Sequence, residues 1–254
     1  MNMSKVQAKK KRKKTRLLIL LALLFVITRA CIWYVNDYYH VTDKDKALAS
    51  TEKVQVSETD FGYAIDGPGE NTALIFYPGA KVEDLAYADL LKIIAESGMD
   101  CFLVHMPCNL AFFGISKADE VMEMYDYKEW YLAGHSLGGA MAAGYAEKHA
   151  NELMGLILLA FYSTKDLSDT SLEILSIFGS EDQVVNRDKI VSGRSLMPKY
   201  YEEYMIEGGN HAGFGDYGEQ AGDGEPLISG EEQKKITADK FKNRFEKCAK
   251  TYPY

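Results

Sequence analysis

Five short runs of this chain are close to apolar at every position: residues 73–77, 101–105, 130–133, 156–160 and 172–178. A strand with no polar face must be covered on both sides, which antiparallel sheets rarely require and parallel sheets with helices on both faces always do. The stretches between the runs have helical periodicity. Val82, Leu85, Ala86, Leu90, Ile93 and Ile94 recur at helical spacing up to Gly98, and further helices are expected at 118–125, 137–149, 187–196 and 231–248. Residues 54–66 alternate in the manner of a strand or hairpin, residues 200–207 read as a last strand, and Ser229 with Glu232 forms a capping box for the closing helix. The expected fold is therefore α/β, a mostly parallel, doubly wound sheet in one domain, 54–254.

Charge divides the chain into two unlike parts. Of 29 basic and 37 acidic residues, nine basic and no acidic ones fall within the first 29 positions, so the remainder holds 20 against 37, or −17. Seven of the nine lie between Lys9 and Arg16, and residues 17–28 are then uncharged. Twelve residues of helix cover only about 18 Å, but reading on to Val35 gives nineteen positions, enough to span if Arg29 snorkels to the interface. Trp33 and Tyr34 suit an interfacial aromatic belt. The expected organisation is a basic cytoplasmic tail (1–16), a transmembrane signal-anchor (17–35), a polar linker (36–53) and the domain. Lysines before the span and acids after it place that domain outside a cell membrane crossed once. Cleavage of a signal peptide after Thr28-Arg29-Ala30 is the alternative, giving a secreted protein. The acidic body argues against nucleic acid as a partner. Cys101 and Cys108 are too far apart along an extended chain to bridge, and the cysteines (Cys31, Cys101, Cys108, Cys248) read as isolated, buried thiols. Nothing has metal-ligand spacing, and no metal or cofactor is expected.

Gly134-His135-Ser136-Leu137-Gly138 follows an apolar run and opens a helix rich in small residues. A serine on so sharp a turn adopts strained dihedral angles, and glycines two positions to either side avoid clashes, so Ser136 is the candidate nucleophile. A serine hydroxyl needs a base. Of five histidines, His40 is juxtamembrane, His135 occupies the variable position of the motif, His149 ends a helix, and His105 ends a strand as a packed or rim residue. His211 lies in the glycine-rich loop after the last strand and is the expected base. Asp182, just past the strand ending at Phe178, is the expected acid, with Glu181 read as solvated and Asp166 as the alternative. The Leu137 and Ala80 amides are the expected oxyanion donors, because Pro78 has no N–H.

These residues resemble the α/β-hydrolase family over roughly 54–250. Pro78-Gly79-Ala80, Gly-His-Ser136-Leu-Gly-Gly, Gly179-Ser-Glu-Asp182 and Gly209-Asn-His211 stand in the family's order, and 209–218 looks like a small lidless bacterial branch near dienelactone-hydrolase-like esterases. The resemblance implies a Ser136–His211–Asp182 triad hydrolysing carboxylic esters through an acyl-enzyme; acyl transfer and a non-catalytic membrane-anchored binding module are the rival readings. One departure stands out: the family's His-Gly before the oxyanion loop is Tyr77-Pro-Gly here. Only about nine residues separate Tyr162 from Leu172, where relatives insert a cap, which points to an open cleft for a small-molecule ester. The acidic, glycine-rich loop 216–225 reads as a mobile or solvated wall that disfavours anionic substrates.

Overall fold

The computed structural model describes residues 3–251, with side chains described for residues 12–244; the side chains of Lys5, of Lys9 to Lys11 and of Cys248 lie outside the described residues. The chain divides into two compact units between Tyr38 and Tyr39. The first is a single helix, α1 (Met3–Asn36), of which the 25 residues Arg12–Asn36 are long and apolar enough to cross a membrane. Two of its polar side chains fold back on their own helix: Thr28 Oγ1 donates to the Leu24 carbonyl at 2.9 Å and Asn36 Nδ2 to that of Ile32 at 2.7 Å.

The second unit is built on an eight-stranded sheet: β1 (Gln55–Thr59), β2 (Gly62–Asp66), β3 (Thr72–Tyr77), β4 (Asp100–Val104), β5 (Glu129–His135), β6 (Gly155–Leu159), β7 (Glu173–Gly179) and β8 (Tyr201–Ile206). The order across it is β1-β2-β4-β3-β5-β6-β7-β8; β2 runs antiparallel to both neighbours and the rest are parallel. The apolar runs are therefore the strands, covered on both faces as their composition demands. In β3, Leu74 and Phe76 face the core that includes Leu90, Leu91, Ile94 and Phe241; Ala73, Ile75 and Tyr77 face the opposite core with Val121, Ala142 and Tyr145. The first cover comes from α3 (Ala88–Ala95) and α7 (Gly230–Thr251), the second from α4 (Lys117–Met124) and α5 (Leu137–Ala146), and α6 (Arg187–Gly193) follows β7. The Ser229 hydroxyl accepts the Glu232 amide at 3.1 Å and starts α7. The helix expected from Val82 onward is divided, a 3-10 turn at Asp84–Tyr87 preceding α3.

The segment read as a linker packs on the domain from Tyr39 onward. Tyr39 forms a parallel bridge with Val82, and the Thr42 amide donates to the Asp216 carbonyl at 2.8 Å. A short helix, α2 (Lys44–Leu48), is capped by Asp43, buries Ala47, and places Lys46 against Asp89. Only Tyr39, Val41 and Ala47 of this stretch join the core, too few to mark it as structured in a polar sequence. Among the described residues, 160–172 contain no helix; instead, residues after β4 form two 3-10 turns, Pro107–Asn109 and Ala111–Gly114, with Phe112 and Phe113 exposed. Cys101 is buried as expected, but Cys108 and Cys31 are exposed, Cys108 because it sits in one of these surface turns.

Candidate active site

Ser136 joins β5 to α5 with φ 51° and ψ −120°, a conformation that costs a residue bearing a Cβ about 1–3 kcal/mol. Close packing enforces it. A Cβ on Gly134 would lie 2.4 Å from the Gly138 carbonyl carbon, and one on Gly138 would lie 2.1 Å from the Tyr77 carbonyl oxygen. The serine amide donates to the Leu159 carbonyl of the neighbouring strand at 2.9 Å.

His211 follows β8 and is almost wholly buried. Its Nδ1 lies 2.9 Å from Asp182 Oδ2; a carboxylate oxygen accepts, so Nδ1 carries the proton. Asp182 Oδ1 receives the Val184 and Val185 amides, both at 2.8 Å, so both carboxylate oxygens are engaged inside the protein. Among the described residues His211 Nε2 is buried with no hydrogen-bond partner, the Ser136 hydroxyl included. Such bonds are often long in unliganded sites and tighten when substrate binds. The alternative acids stand apart from this pair. Asp166 is exposed and caps Ser168, while Glu181 accepts the Ser180 hydroxyl at 2.9 Å.

The loop carrying His211 is clamped from two sides. Asn210 and the buried Gln233 of α7 exchange two hydrogen bonds, of 3.0 and 2.8 Å, and the Ala212 amide donates to Asp223 Oδ2 at 2.9 Å. Asp223 therefore faces inward, as does Asp216, which pairs with the buried Lys234. The reading of 216–225 as solvated is corrected for these two acids, because the donors they meet come from distant elements.

Around the turn after β3, the Gly79 amide donates to the Tyr87 hydroxyl at 3.2 Å and the Lys81 amide to the Asn109 carbonyl at 2.8 Å. The Ala80 amide between them has no acceptor among the described residues, nor has the Leu137 amide at the start of α5. Both expected oxyanion donors are thus uncommitted among the described residues.

Among the histidines, His105 is mostly exposed rather than packed; its Nδ1 lies 2.9 Å from the buried Asp84, whose carboxylate raises the ring's pKa. His149 stacks on Tyr145 at 4.0 Å, and His40 lies 3.3 Å from Glu83. Asp119, His149 and Glu152 have ligand atoms within 4.8 Å of one another, but Asp119 already receives the Tyr145 hydroxyl and His149 is bonded to Glu152. His135, which the motif leaves free to vary, is fully buried: Nδ1 is 2.8 Å from the Tyr87 hydroxyl and Nε2 is 3.1 Å from the His211 carbonyl. Burial holds its pKa well below the ordinary histidine value. Nothing in the sequence marks Tyr87, Gln233 or Asp223, since each acts on a segment remote in the chain.

A strand-ordered sheet of this kind, with a strained serine at the β5–α5 turn and a buried His–Asp pair beyond β7 and β8, accords with the family match: residues 73–235 fit the Alpha/beta hydrolase family, and the chain belongs to it. Among solved structures, a predicted CIB-like hydrolase from Thermoplasma acidophilum superposes with a TM-score of 0.57 at 14% identity, covering 75% of this chain and 99% of that one. Est1E from Butyrivibrio proteoclasticus gives 0.56 at 14% identity, covering 77% and 100% of the two chains. MGS-MChE2, an alpha/beta hydrolase enzyme from a lagoon-sediment metagenome, gives 0.56 at 15% identity, covering 76% and 99%. At such identities the likeness is one of fold. No curated protein sequence matched the chain.

Proposed function

We propose that this hydrolase is a membrane-anchored serine esterase that cleaves small carboxylic esters through an acyl-enzyme. The observation that carries the reading is the buried His211–Asp182 pair, with Nδ1–H committed to the carboxylate and Nε2 left bare. In that tautomer Nε2 can take the Ser136 proton as the hydroxyl oxygen attacks the ester carbonyl. Asp182 then stabilises the imidazolium, and the Ala80 and Leu137 amides, with the N-terminal dipole of α5, receive the developing oxyanion. His211 next protonates the departing alkoxide, and in a second round activates water against the acyl-serine. The hydrolase names of two of the structural neighbours agree with this chemistry. The acidic body favours neutral or cationic over anionic esters.

The test is covalent labelling of the full chain with a fluorophosphonate, alongside turnover of nitrophenyl esters of graded chain length. Wild type is expected to label and turn over, and Ser136→Ala to do neither. Labelling that persists in Ser136→Ala would overturn the nucleophile, and product analysis with added alcohols separates hydrolysis from acyl transfer.

A further inference from the structure

Three loops must be held in register for the proposed reaction: the turn after β3 with Ala80, the elbow with Ser136, and the loop after β8 with His211. One continuous hydrogen-bond chain touches all three, and its polarity is set by chemistry. An amide can only donate, so the Gly79 N–H donates a hydrogen bond to the Tyr87 oxygen. A carbonyl can only accept, so His135 Nε2, 3.1 Å from the His211 carbonyl, must carry a hydrogen. The remaining ring nitrogen of a neutral imidazole is an acceptor, and it receives the Tyr87 O–H at 2.8 Å.

We propose that Tyr87 and His135 are positioning residues, a one-way relay from Gly79 N–H through the Tyr87 hydroxyl and the neutral His135 ring to the His211 carbonyl, which sets the oxyanion turn and the base loop against the nucleophile elbow. The proposal rests on the assignment of Ser136, His211 and Ala80 made above. Space supports it independently. A Cβ on Gly79 would lie 2.8 Å from the Tyr87 hydroxyl and 2.9 Å from His135 Nδ1, so the turn lies flush against the bond between them. Tyr87, His135 and His211 are each no more than 1% exposed, and water does not compete for these groups. The His135 and His211 rings pack with centroids 4.6 Å apart, and Phe214 closes the other side at 5.7 Å. The relay moves no proton. It meets the departure at Tyr77-Pro-Gly: Pro78 brings no amide to the turn, and the Gly79 amide beside Ala80 is held by a hydroxyl eight residues on.

The experiment has two arms on the full chain in detergent. Imidazole nitrogen NMR of the wild type reads the tautomer and charge of His135 without reference to activity. The expected result is a neutral Nε2–H ring that does not titrate over about pH 5 to 8. A protonated Nδ1, or a titration near the ordinary histidine value, overturns the relay. The second arm measures ester turnover per fluorophosphonate-titrated site. Tyr87→Phe is expected to lower kcat by about tenfold to a hundredfold with KM nearly unchanged. His135→Phe should lose more than His135→Gln, which keeps an N–H for the His211 carbonyl, and the double Phe variant should be no worse than the poorer single one. Unchanged kcat per titrated site in Tyr87→Phe, or losses that multiply in the double variant, would overturn the proposal. A wild type that hydrolyses no ester defeats the esterase assignment instead, and the NMR arm still decides the relay.

Discussion

Both oxygens of Asp182 are committed, and they are committed to different tasks. Oδ1 accepts the Val184 and Val185 amides, while Oδ2 faces His211 Nδ1. An asparagine here must keep its oxygen toward the two amides, which turns its NH2 toward the ring. His211 would then switch to the Nε2–H tautomer and could no longer accept the serine proton. Asp182→Asn is expected to remain folded while kcat and the rate of fluorophosphonate inactivation fall by roughly 10³–10⁴. His135 makes a prediction for stability. Burial lowers its pKa well below the 6.5 of a free ring, so below that pH the unfolded chain binds a proton that the native protein refuses. The stability it permits is complete above pH 6.5 and falls as the medium is acidified, by up to about 1.4 kcal/mol per pH unit. Denaturant midpoints followed from neutral to mildly acid pH should show this slope in the wild type and a shallower one in His135→Gln. His105, raised by Asp84, acts in the opposite sense: the pairing is present below the ring's unfolded pKa and is lost as pH rises through its folded one. Its largely exposed ring makes that contribution small.

The start of α5 packs closely on the turn after β3, and two glycines of this helix have opposite meanings. A Cβ on Gly138 would press to 2.1 Å from the Tyr77 oxygen and 2.4 Å from that of Pro78, both backbone atoms of the oxyanion turn. Gly138→Ala must push helix and turn apart; turnover is expected to be lost, with stability lowered by about 3 kcal/mol or more. Gly144, one face of the same helix later, has nothing nearer than Ile115 Cδ1 at 3.6 Å. Gly144→Ala should therefore raise stability by about 0.5–1 kcal/mol through helix propensity, with activity unchanged. Thermal unfolding of the two variants side by side checks both signs.

At the scale of the whole molecule, the open points are where the folded body begins and whether α1 crosses a membrane with that body outside. The contacts of Tyr39, Val41 and Ala47 place the segment ahead of β1 within the body. A soluble chain starting at residue 37 is expected to be more stable than one starting at 54 by about 2–4 kcal/mol in chemical unfolding, the value of burying two or three such side chains. The topology expected from the charge pattern puts the domain outside the cell. Cys108 is exposed on it, whereas Cys101 is buried. In a variant with Cys31→Ala and Cys248→Ser, a membrane-impermeant maleimide should label Cys108 in intact cells; labelling only after permeabilisation would reverse the topology and leave the site chemistry untouched.

Local pattern was enough to read the strands and helices of the sheet and the sharp turn at Ser136, and it carried the expectation of an acid after β7 and a base after β8. Those features depend on side-chain periodicity and on neighbours a few residues away, which a sequence displays directly. The pairing of Asp182 with His211, the packing of residues 39–48, the inward turn of Asp216 and Asp223, and the Tyr87–His135–His211 chain are visible only in the tertiary structure. The bonds responsible join residues 29, 48 and 76 positions apart. Which donor meets which acceptor at those separations follows from the order of strands in the sheet and from how closely Gly79, Gly138 and Gly179 let the loops approach, and neither leaves a periodic mark on the chain.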